Sequence, residues 1–552
     1  MSARLRGLLP RRSDYTISLR ALRADAVAGV TVGVVALPLA LAFGITSGLG
    51  AEAGLTTAIV AGVVAAIFGG SSVQVSGPTG AMTVVLVPII HRYGPEAVLL
   101  VGLIAGALLV GAALAGLGRY AAFVPWPVIE GFTVGIAVVI FLQQVPAALG
   151  VAIPSGDNTV VVAIRAVARG LDHGRAAPLV VVALVVVVMI VATRLHRALP
   201  ASLIGVAVAT LVANLGDLDV ATIGHLPGSL PLPSLPTVSL DRISALFSAG
   251  LAVAILGALE SLLSAKVADG MADTGRHDPD RELFGQGLAN LVSPLMGGMP
   301  ATGAIARTAV NVRARARTRV AAVVHSFVLL AVVFAGGSVV ADIPIAALSG
   351  VLMVTVVRMV DIPNVRAILR ATRSDALVLG LTAAATVVFD LILAVEIGIA
   401  VAAGLALRHV ARTASAIVEP LSSEELGEVS GDVEASLLAS HIVTYRLDGA
   451  MFFGAAQRFL TELTAVSDVR VVILRLPRLQ VLDATGAQAL GEIVHELERR
   501  HITVLLKGAK PEHLRVLEAV GALDHLAHEE HIFTDLDAAV DHARHHASRH
   551  AA

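Results

Sequence analysis

Long hydrophobic stretches follow one another from residue 26 to residue 408, and they determine the fold class of the chain. About 20 apolar residues cross a bilayer as a helix. Of the 552 residues, 56% are hydrophobic and 15% are charged, whereas soluble proteins have about 25% charged residues. The sequence therefore predicts an α-helical, multi-pass integral membrane protein embedded in the lipid bilayer. This composition excludes a soluble enzyme.

Fourteen hydrophobic stretches can be counted. Eleven are long and occupy residues 26–46, 53–69, 97–117, 128–146, 177–193, 201–215, 246–266, 319–340, 343–360, 375–390 and 392–408. Three are short and occupy residues 75–90, 283–296 and 302–311. Clusters of helix-breaking residues, SGPTGA at 76–81 and PATGA at 300–304, mark the start of two short stretches. Each of these two is predicted to be a half-helix that starts inside the membrane.

The basic residues between the stretches are distributed unevenly. Counted from the basic N-terminal segment, residues 1–24, fourteen Lys and Arg residues follow even-numbered stretches and five follow odd-numbered ones. Positive charge is retained on the cytoplasmic side. Both the N-terminus and the C-terminal domain are therefore expected to be cytoplasmic, in a bacterial-type inner (plasma) membrane. The net charge of −2 argues against a nucleic-acid partner.

The two breaker clusters belong to an internal repeat. The letters T-G-A recur at residues 79–81 and 302–304, an offset of 223 positions. The same offset places the first hydrophobic stretch on the eighth, with Leu37 on Glu260. An odd number of spans in each half reverses the second half, so the transport domain, residues 25–410, is predicted to contain inverted repeats at about 25–215 and 246–410.

Paired, interrupted spans in inverted repeats are typical of secondary transporters, which bind substrate near the membrane midplane. A half-helix has free N–H groups and a positive dipole end at its N-terminus, and both favour an anion. We expect the two N-termini to face each other across the substrate. The predicted anion-binding residues are Gly77, Pro78, Thr79, Gly80, Ala81, Ala301, Thr302, Gly303, Ala304 and Arg307. Pro78 and Pro300 are expected in the first helical turns, where a missing N–H costs little.

Two charged residues lie at membrane depth, where charge is costly and usually functional. Glu260 has Ser264 four residues further on, on the same helix face. The pair is predicted to bind Na⁺ or to carry a coupling proton. The alternative is that Glu260 pairs with Arg307 to hold the helices together. Arg307 either strengthens the anion site, pairs with a carboxylate, or extends to the cytoplasmic side.

At this point the motifs match a known family. The stretches ALPLALAFG (36–44), VQVSGPTGA (73–81), LGALESLLSAKVADGM (256–271) and RELFGQGLANLVSPLMGGMPATGAIARTAVNVRA (281–314) resemble the sulfate permease (SulP) family of anion transporters. The resemblance implies fourteen spans as a seven-plus-seven inverted repeat. It also implies a core domain (spans 1–4 and 8–11) that moves against a gate domain (spans 5–7 and 12–14), usually in a homodimer.

The resemblance extends to the site. It implies that substrate lies between the N-termini of spans 3 and 10, and that Na⁺ binds at Glu260 and Ser264, as in bacterial bicarbonate carriers. Other bacterial relatives take up C4-dicarboxylates with protons. Many eukaryotic members have polar residues where this chain has Leu39 and Phe43. This difference favours bicarbonate or a C4-dicarboxylate over sulfate, which stays an alternative.

The sequence changes character after residue 410. A polar linker, 411–437, is followed by alternating strand and helix patterns at 438–545, which predict a small α/β domain. It resembles the STAS domain, with Ala484 at the position of a phosphorylatable serine and Thr485 expected to cap the helix. A regulatory protein partner is the natural expectation. The His-rich tail, with residues 546–552 at its end, is interpreted as a frayed terminus, the alternative being weak metal binding.

Two functions of different classes remain. The first is a secondary active anion transporter with elevator-like alternating access, coupled to Na⁺ or H⁺ and needing no other cofactor. The second is an anion channel or sensor with the STAS domain as its output. The sequence names neither the anion nor the coupling ion, because backbone N–H groups accept sulfate, bicarbonate and carboxylates alike.

Overall fold

The computed structural model describes residues 7–11, 14, 18–123, 125–156, 158–173, 176–196, 199–226, 228–234, 240–272, 274–389, 397–405, 415–418, 441–451, 469–526, 528 and 531–549. The chain divides into two compact units, Met1–Ala400 and Val401–Ala552. The first unit is helical, and the second combines a sheet with helices.

The first half of the helical unit contains eight described helices and one short strand. They are α1 (Leu19–Ser47), α2 (Ala51–Phe68), β1 (Ser76–Gly77), α3 (Gly80–Tyr93), α4 (Ala97–Ala115), α5 (Trp126–Ala148), α6 (Thr159–His173), α7 (Ala176–Leu195) and α8 (Ala201–Leu215), with a 3₁₀ turn at Gly118–Phe123.

The second half repeats the beginning of this order. Its described elements are α9 (Leu240–Met271), α10 (Pro279–Leu295), β2 (Thr302–Gly303), α11 (Ile305–Arg313), α12 (Val320–Ala335), α13 (Gly337–Ala341), α14 (Ile345–Met359), α15 (Ile362–Ala371) and α16 (Arg373–Val388).

Seven helical segments of the described residues are long and apolar enough to cross a membrane. They are α1, α2, α4, α5, α7, the Ile243–Met271 part of α9, and Ile345–Ala371. The helices α3, α8 and α12 are shorter and apolar. The predicted α-helical membrane fold is confirmed. Thirteen of the fourteen predicted stretches coincide with a described helix, and the fourteenth, 392–408, is described only at 397–405, where it is helical.

Two helices were not predicted as separate elements. Helix α6 carries Arg165 and Arg169, and hydropathy assigns its residues to a loop because apolar positions occur on one face only. Helix α15 follows α14 after the N-cap Asp361 and is amphipathic in the same way. Helix α1 starts at Leu19, inside the segment predicted to precede the membrane domain.

Equivalent helices of the two halves pack in equivalent ways. Helix α1 packs on α12, and its counterpart α9 packs on α4. Likewise α2 packs on α12, and its counterpart α10 packs on α4. This exchange of partners between the halves is the arrangement expected of the predicted repeat. It brings the starts of α3 and α11 together at the centre of these eight helices.

Glycines allow this close packing. A methyl group on Gly54 of α2 would overlap the carbonyl oxygen of Ala40 on α1. On α10, a Cβ at Gly285 would meet the backbone of Gly69 just after α2. Small residues at helix crossings let backbones approach in a membrane, so these glycines set the separations of α1, α2 and α10.

The second unit is an α/β domain. Its described elements are β3 (Ser415–Val418), β4 (Ile442–Met451), β5 (Val471–Arg475), β6 (Leu479–Leu482), α17 (Ala484–Arg499), β7 (Thr503–Lys507), α18 (Pro511–Ala519), β8 (Ile532–Phe533) and α19 (Leu536–Arg549), with a 3₁₀ turn at Leu523–His525. The strand order is β3-β4-β5-β7-β8, and β6 also pairs with β4. All pairs are parallel except β3 with β4.

Two expectations for this unit need correction. Asp483, not Thr485, caps helix α17, because its carboxylate accepts the Gly486 N–H at 2.7 Å. Thr485 lies within the first turn, after Ala484. The chain is helical up to Arg549 rather than frayed, because α19 ends at that residue. The helix therefore extends beyond the predicted domain end at 545. Its buried Ala539, Val540 and Ala543 pack on the sheet.

Replacing Gly54 with alanine tests the packing of α1 on α2. The added methyl group meets backbone at Ala40, which cannot yield as a side chain can. We expect a loss of about 1–3 kcal/mol, as for other overpacked interiors, measured as a lower thermal unfolding midpoint in detergent. Gly111→Ala on α4 is the matched control, since nothing lies within 4 Å of its added Cβ. Equal midpoints for both variants would contradict the packing account.

Candidate anion and coupling-ion site

The two interrupted segments meet in a two-residue antiparallel pairing. Ser76 is opposite Gly303, and Gly77 is opposite Thr302. The Ala304 N–H also donates to the Val75 carbonyl at 2.8 Å. Helix α3 begins three residues after β1, and α11 begins two residues after β2. The pairing therefore places both helix N-termini beside one short ribbon.

The prolines lie outside the helices, contrary to the prediction. Helix α3 starts at Gly80 with Thr79 as its N-cap, so Pro78 precedes the helix. Helix α11 starts at Ile305, five residues after Pro300. The paired residues Ser76–Gly77 and Thr302–Gly303 lie directly before the helix starts, so neither proline falls in a first helical turn. The residues predicted to bind the anion are nevertheless together and buried: 77–81, 301–304 and Arg307.

Polar side chains from α2, α10 and α11 hold the ribbon. Asn290 of α10 donates to the Ala301 carbonyl and accepts its N–H, both at 2.8 Å. Gln286 donates to Ser76 Oγ at 2.6 Å, and Asn311 donates to the Val73 carbonyl at 2.8 Å. In lipid, such groups satisfy backbone that has no helical partner. Sequence analysis missed these residues, although the four-residue spacing of Gln286 and Asn290 in an apolar stretch was a visible signal.

Glu260 of α9 binds both halves of the ribbon. Its Oε2 accepts from Thr79 Oγ1 at 2.8 Å and from Thr302 Oγ1 at 2.6 Å. The two threonine oxygens lie 3.1 Å apart. They come from equivalent positions of the two repeats, since they are 223 residues apart. A half-buried carboxylate and two hydroxyls thus form a triangle of oxygen atoms at the helix N-termini.

Ser264 has a different partner from Glu260. Its Oγ lies 3.1 Å from Thr308 Oγ1. Thr308 Oγ1 in turn accepts the Val75 N–H at 3.1 Å. Glu260 and Ser264 share one face of α9, as predicted, but one turn apart: the glutamate contacts the threonine pair, and the serine contacts the first turn of α11.

Arg307 also binds the ribbon. Its Nη2 donates to the carbonyl oxygen of Pro78, and its Nη1 has no hydrogen-bond partner among the described residues. The side chain is 2% exposed. Among the ion pairs of the described part of the chain, none joins Arg307 to Glu260. Direct pairing of the two, one alternative from the sequence, is therefore wrong; they bind adjacent residues, Pro78 and Thr79.

Close approach restricts the site to small residues. A Cβ at Gly77 would lie 2.6 Å from Arg307 Nη1, and one at Gly303 would overlap the Gln74 amide. At the start of α3, Gly80 packs against Phe43 of α1 and Ile140 of α5. Leu39 is buried nearby on α1. Phe43 of α1 and Ile140 of α5 thus make the surroundings of Gly80 apolar.

Comparison with known proteins agrees with this architecture. The model of the sulfate permease family matches residues 22–382, and that of the STAS domain matches residues 438–539. The chain belongs to the sulfate permease family. Its membrane unit and its C-terminal STAS domain are thereby both assigned.

Two relatives align with almost the whole length of this chain. The putative sulfate transporter YvdB of Bacillus subtilis is 34% identical over 94% of this chain and 97% of its own length. The bicarbonate transporter BicA of a Picosynechococcus species is 30% identical over 91% of each chain. The structure of murine Slc26a9, an anion transporter in the inward-facing state, superimposes with a TM-score of 0.83 at 17% identity, covering 99% of this chain and 95% of that one. That last likeness concerns the fold.

Replacing Arg307 with alanine tests whether its unpaired nitrogen binds substrate. We expect the half-saturation concentration for anion uptake to rise about tenfold, because a charge-assisted hydrogen bond contributes about 1.5–3 kcal/mol. Uptake is measured in proteoliposomes over a range of substrate concentrations. Arg313→Ala, an exposed arginine at the other end of α11, is the control. An unchanged half-saturation concentration with a lower maximal rate would show that Arg307 only supports the ribbon.

Proposed function

We propose that this anion transporter of the sulfate permease family works by secondary active transport, driven by Na⁺ or H⁺. The observation that carries the proposal is the position of Glu260, whose carboxylate bridges Thr79 and Thr302 at the start of both half-helices. A carboxylate in this place opposes an anion unless a cation or a proton neutralises it.

The anion half of the site uses backbone and Arg307. The N-termini of α3 and α11 contribute N–H groups and the positive ends of two helix dipoles. Arg307 adds a guanidinium with one nitrogen unpaired in the described structure. Ile305 and Ala306, the first residues of α11, are exposed, whereas the first residues of α3 are buried. A small anion would therefore approach from the α11 side.

The cation half of the site uses Glu260 with the two threonines. Three oxygen atoms separated by 2.6, 2.8 and 3.1 Å offer the hard ligands that Na⁺ prefers, and the same carboxylate can instead take a proton. Ser264 contributes through Thr308, at the base of α11. Either ion lowers the electrostatic cost of binding the anion. By linkage, the anion then raises the affinity for that ion by the same factor.

The location of the site on the helices of the expected core domain supports elevator-like movement. Glu260, Arg307 and the ribbon are all attached to α1–α4 and α9–α12, the helices expected to form the core domain. Ile140 on α5, in the expected gate domain, touches the site through Gly80. The contact of the gate with Gly80 is apolar. One turn further along α5, Gln144 exchanges hydrogen bonds of 3.3 and 3.4 Å with Thr46 of α1, and sliding of the core would have to break them. From the family resemblance we also expect the protein to form a homodimer.

The favoured substrates are bicarbonate and C4-dicarboxylates, with sulfate retained as an alternative. The apolar wall of Leu39 and Phe43 supports this order, because it offers an anion no additional hydrogen-bond donor on α1. The relative named a bicarbonate transporter covers most of this chain, and so does the one named a putative sulfate transporter. A panel of bicarbonate, succinate, fumarate, aspartate and sulfate, with and without Na⁺ and at two pH values, tests the order.

Replacing Glu260 with glutamine tests the coupling. The amide keeps the size of the side chain but can neither be protonated nor neutralise a cation. We expect gradient-driven accumulation in proteoliposomes to fall at least about tenfold. A tenfold change corresponds to a loss of about 1.4 kcal/mol in the free energy that couples the ion to the anion. Glu96→Gln, an exposed glutamate before α4, is the control.

The outcome also separates transporter from channel. A transporter accumulates the anion above its external concentration only while an ion gradient is present. If the unmodified protein merely equilibrates the anion, it is a channel, and the proposed mechanism is wrong. If Glu260→Gln accumulates anion as well as the unmodified protein does, the coupling site lies elsewhere.

A further inference from the structure

Three histidines converge in the STAS domain, far along the chain from the transport residues. His531 lies immediately before β8, and His542 and His546 lie on α19. Each offers a ring nitrogen within 4.8 Å of the other two. The ring centroids are 5.3 Å apart for His531 with His542, 5.3 Å for His531 with His546, and 4.8 Å for His542 with His546.

Local structure accounts for the convergence. Residues four apart lie on the same face of a helix, so His542 and His546 point together. Ala539, Val540 and Ala543 fix which face that is, because they are buried against the sheet. His531 then faces the pair from the start of the last strand. The position of all three is therefore set by the packed core of the domain.

His531 is buried with little polar company. It is fully buried, and neither ring nitrogen makes a hydrogen bond of good geometry with a described residue, although the backbone of Val504 lies close by. His542 Nε2 is in the same situation. A buried polar atom without a hydrogen bond is destabilising unless a ligand satisfies it.

We propose that His531, His542 and His546 bind a divalent transition metal ion, with Zn²⁺ as the first candidate. Imidazole is a ligand that suits zinc, copper and nickel rather than magnesium or calcium. Nitrogens bound to one tetrahedral zinc at about 2.0–2.1 Å lie about 3–3.5 Å apart. The three ring nitrogens now lie within 4.8 Å of one another, so the rings would turn toward each other when the ion binds. Water completes the fourth position.

The metal ion would join two parts of the domain. The segment before β8 and the helix α19 are linked by a short connection and by packing on the sheet. A shared ion adds a bond between them and satisfies one ring nitrogen of His531. Zinc bound only to the folded form stabilises that form by mass action. The ion would therefore hold the C-terminal helix on the sheet edge.

The test counts metal on the full-length protein. The chain is purified in detergent with an affinity tag free of histidine, stripped with a chelator, and dialysed against Zn²⁺. Bound zinc is then measured by mass spectrometry. We expect about one Zn²⁺ per chain, as for a three-histidine site, with a higher thermal unfolding midpoint for the STAS domain. The double variant His542→Ala/His546→Ala is expected to lose both effects.

His545→Ala is the matched control, since His545 is exposed on α19 next to His546, and it should retain both effects. Equal zinc binding by the double variant and the unmodified protein would overturn the proposal, as would absence of stoichiometric zinc from the unmodified protein. If the double variant does not fold, the unmodified protein is loaded with Co²⁺ instead and its visible absorption spectrum is recorded. Intense visible absorption then indicates a tetrahedral nitrogen site, whereas weak octahedral absorption contradicts it.

Discussion

The transport unit depends on a two-residue β pairing inside the membrane. Two broken helices would leave unpaired N–H and C=O groups in lipid, and each such group costs several kcal/mol. Pairing Ser76–Gly77 with Thr302–Gly303 satisfies part of this backbone. Asn290 and Gln286 satisfy more. The chain can therefore begin two helices inside the helical bundle, with their N-termini beside the paired strands.

Placement of the charges follows from the same pairing. Thr79 and Thr302 come within reach of one carboxylate only because the ribbon brings the repeats together. Arg307 binds the carbonyl one residue before Thr79, so positive and negative groups meet on adjacent residues without contacting each other. A direct pair would neutralise both. Separation leaves each charge able to respond to an ion of opposite sign, as the coupled transport proposed above would require.

Sequence analysis could predict the elements that follow local rules. Hydrophobic runs located the spans, the repeated T-G-A predicted that the two half-helices meet, and a charge inside an apolar run singled out Glu260. It could not predict the late start of α11, the partner of Ser264 or the contact of Arg307. Those depend on the register of β1 with β2, a contact between residues more than 200 positions apart. Helix α6 was missed for another reason: an amphipathic helix lacks a continuous apolar run. In the STAS domain, Asp483 took the capping position expected for Thr485 because it precedes the first helical residue.

The proposed site in each unit has the same physical feature: both sites contain a buried nitrogen without a hydrogen-bond partner among the described residues. Native proteins pair most buried polar groups, so an exception requires an explanation. Arg307 Nη1 is such an exception beside two helix N-termini, and His531 is another beside two more imidazoles. Arg307 lies beside the positive ends of two helix dipoles, which also attract an anion. His531 lies beside two other imidazole rings, which also bind metal ions. The cost of burial is then offset when the ligand binds, which ties the stability of each site to its occupancy.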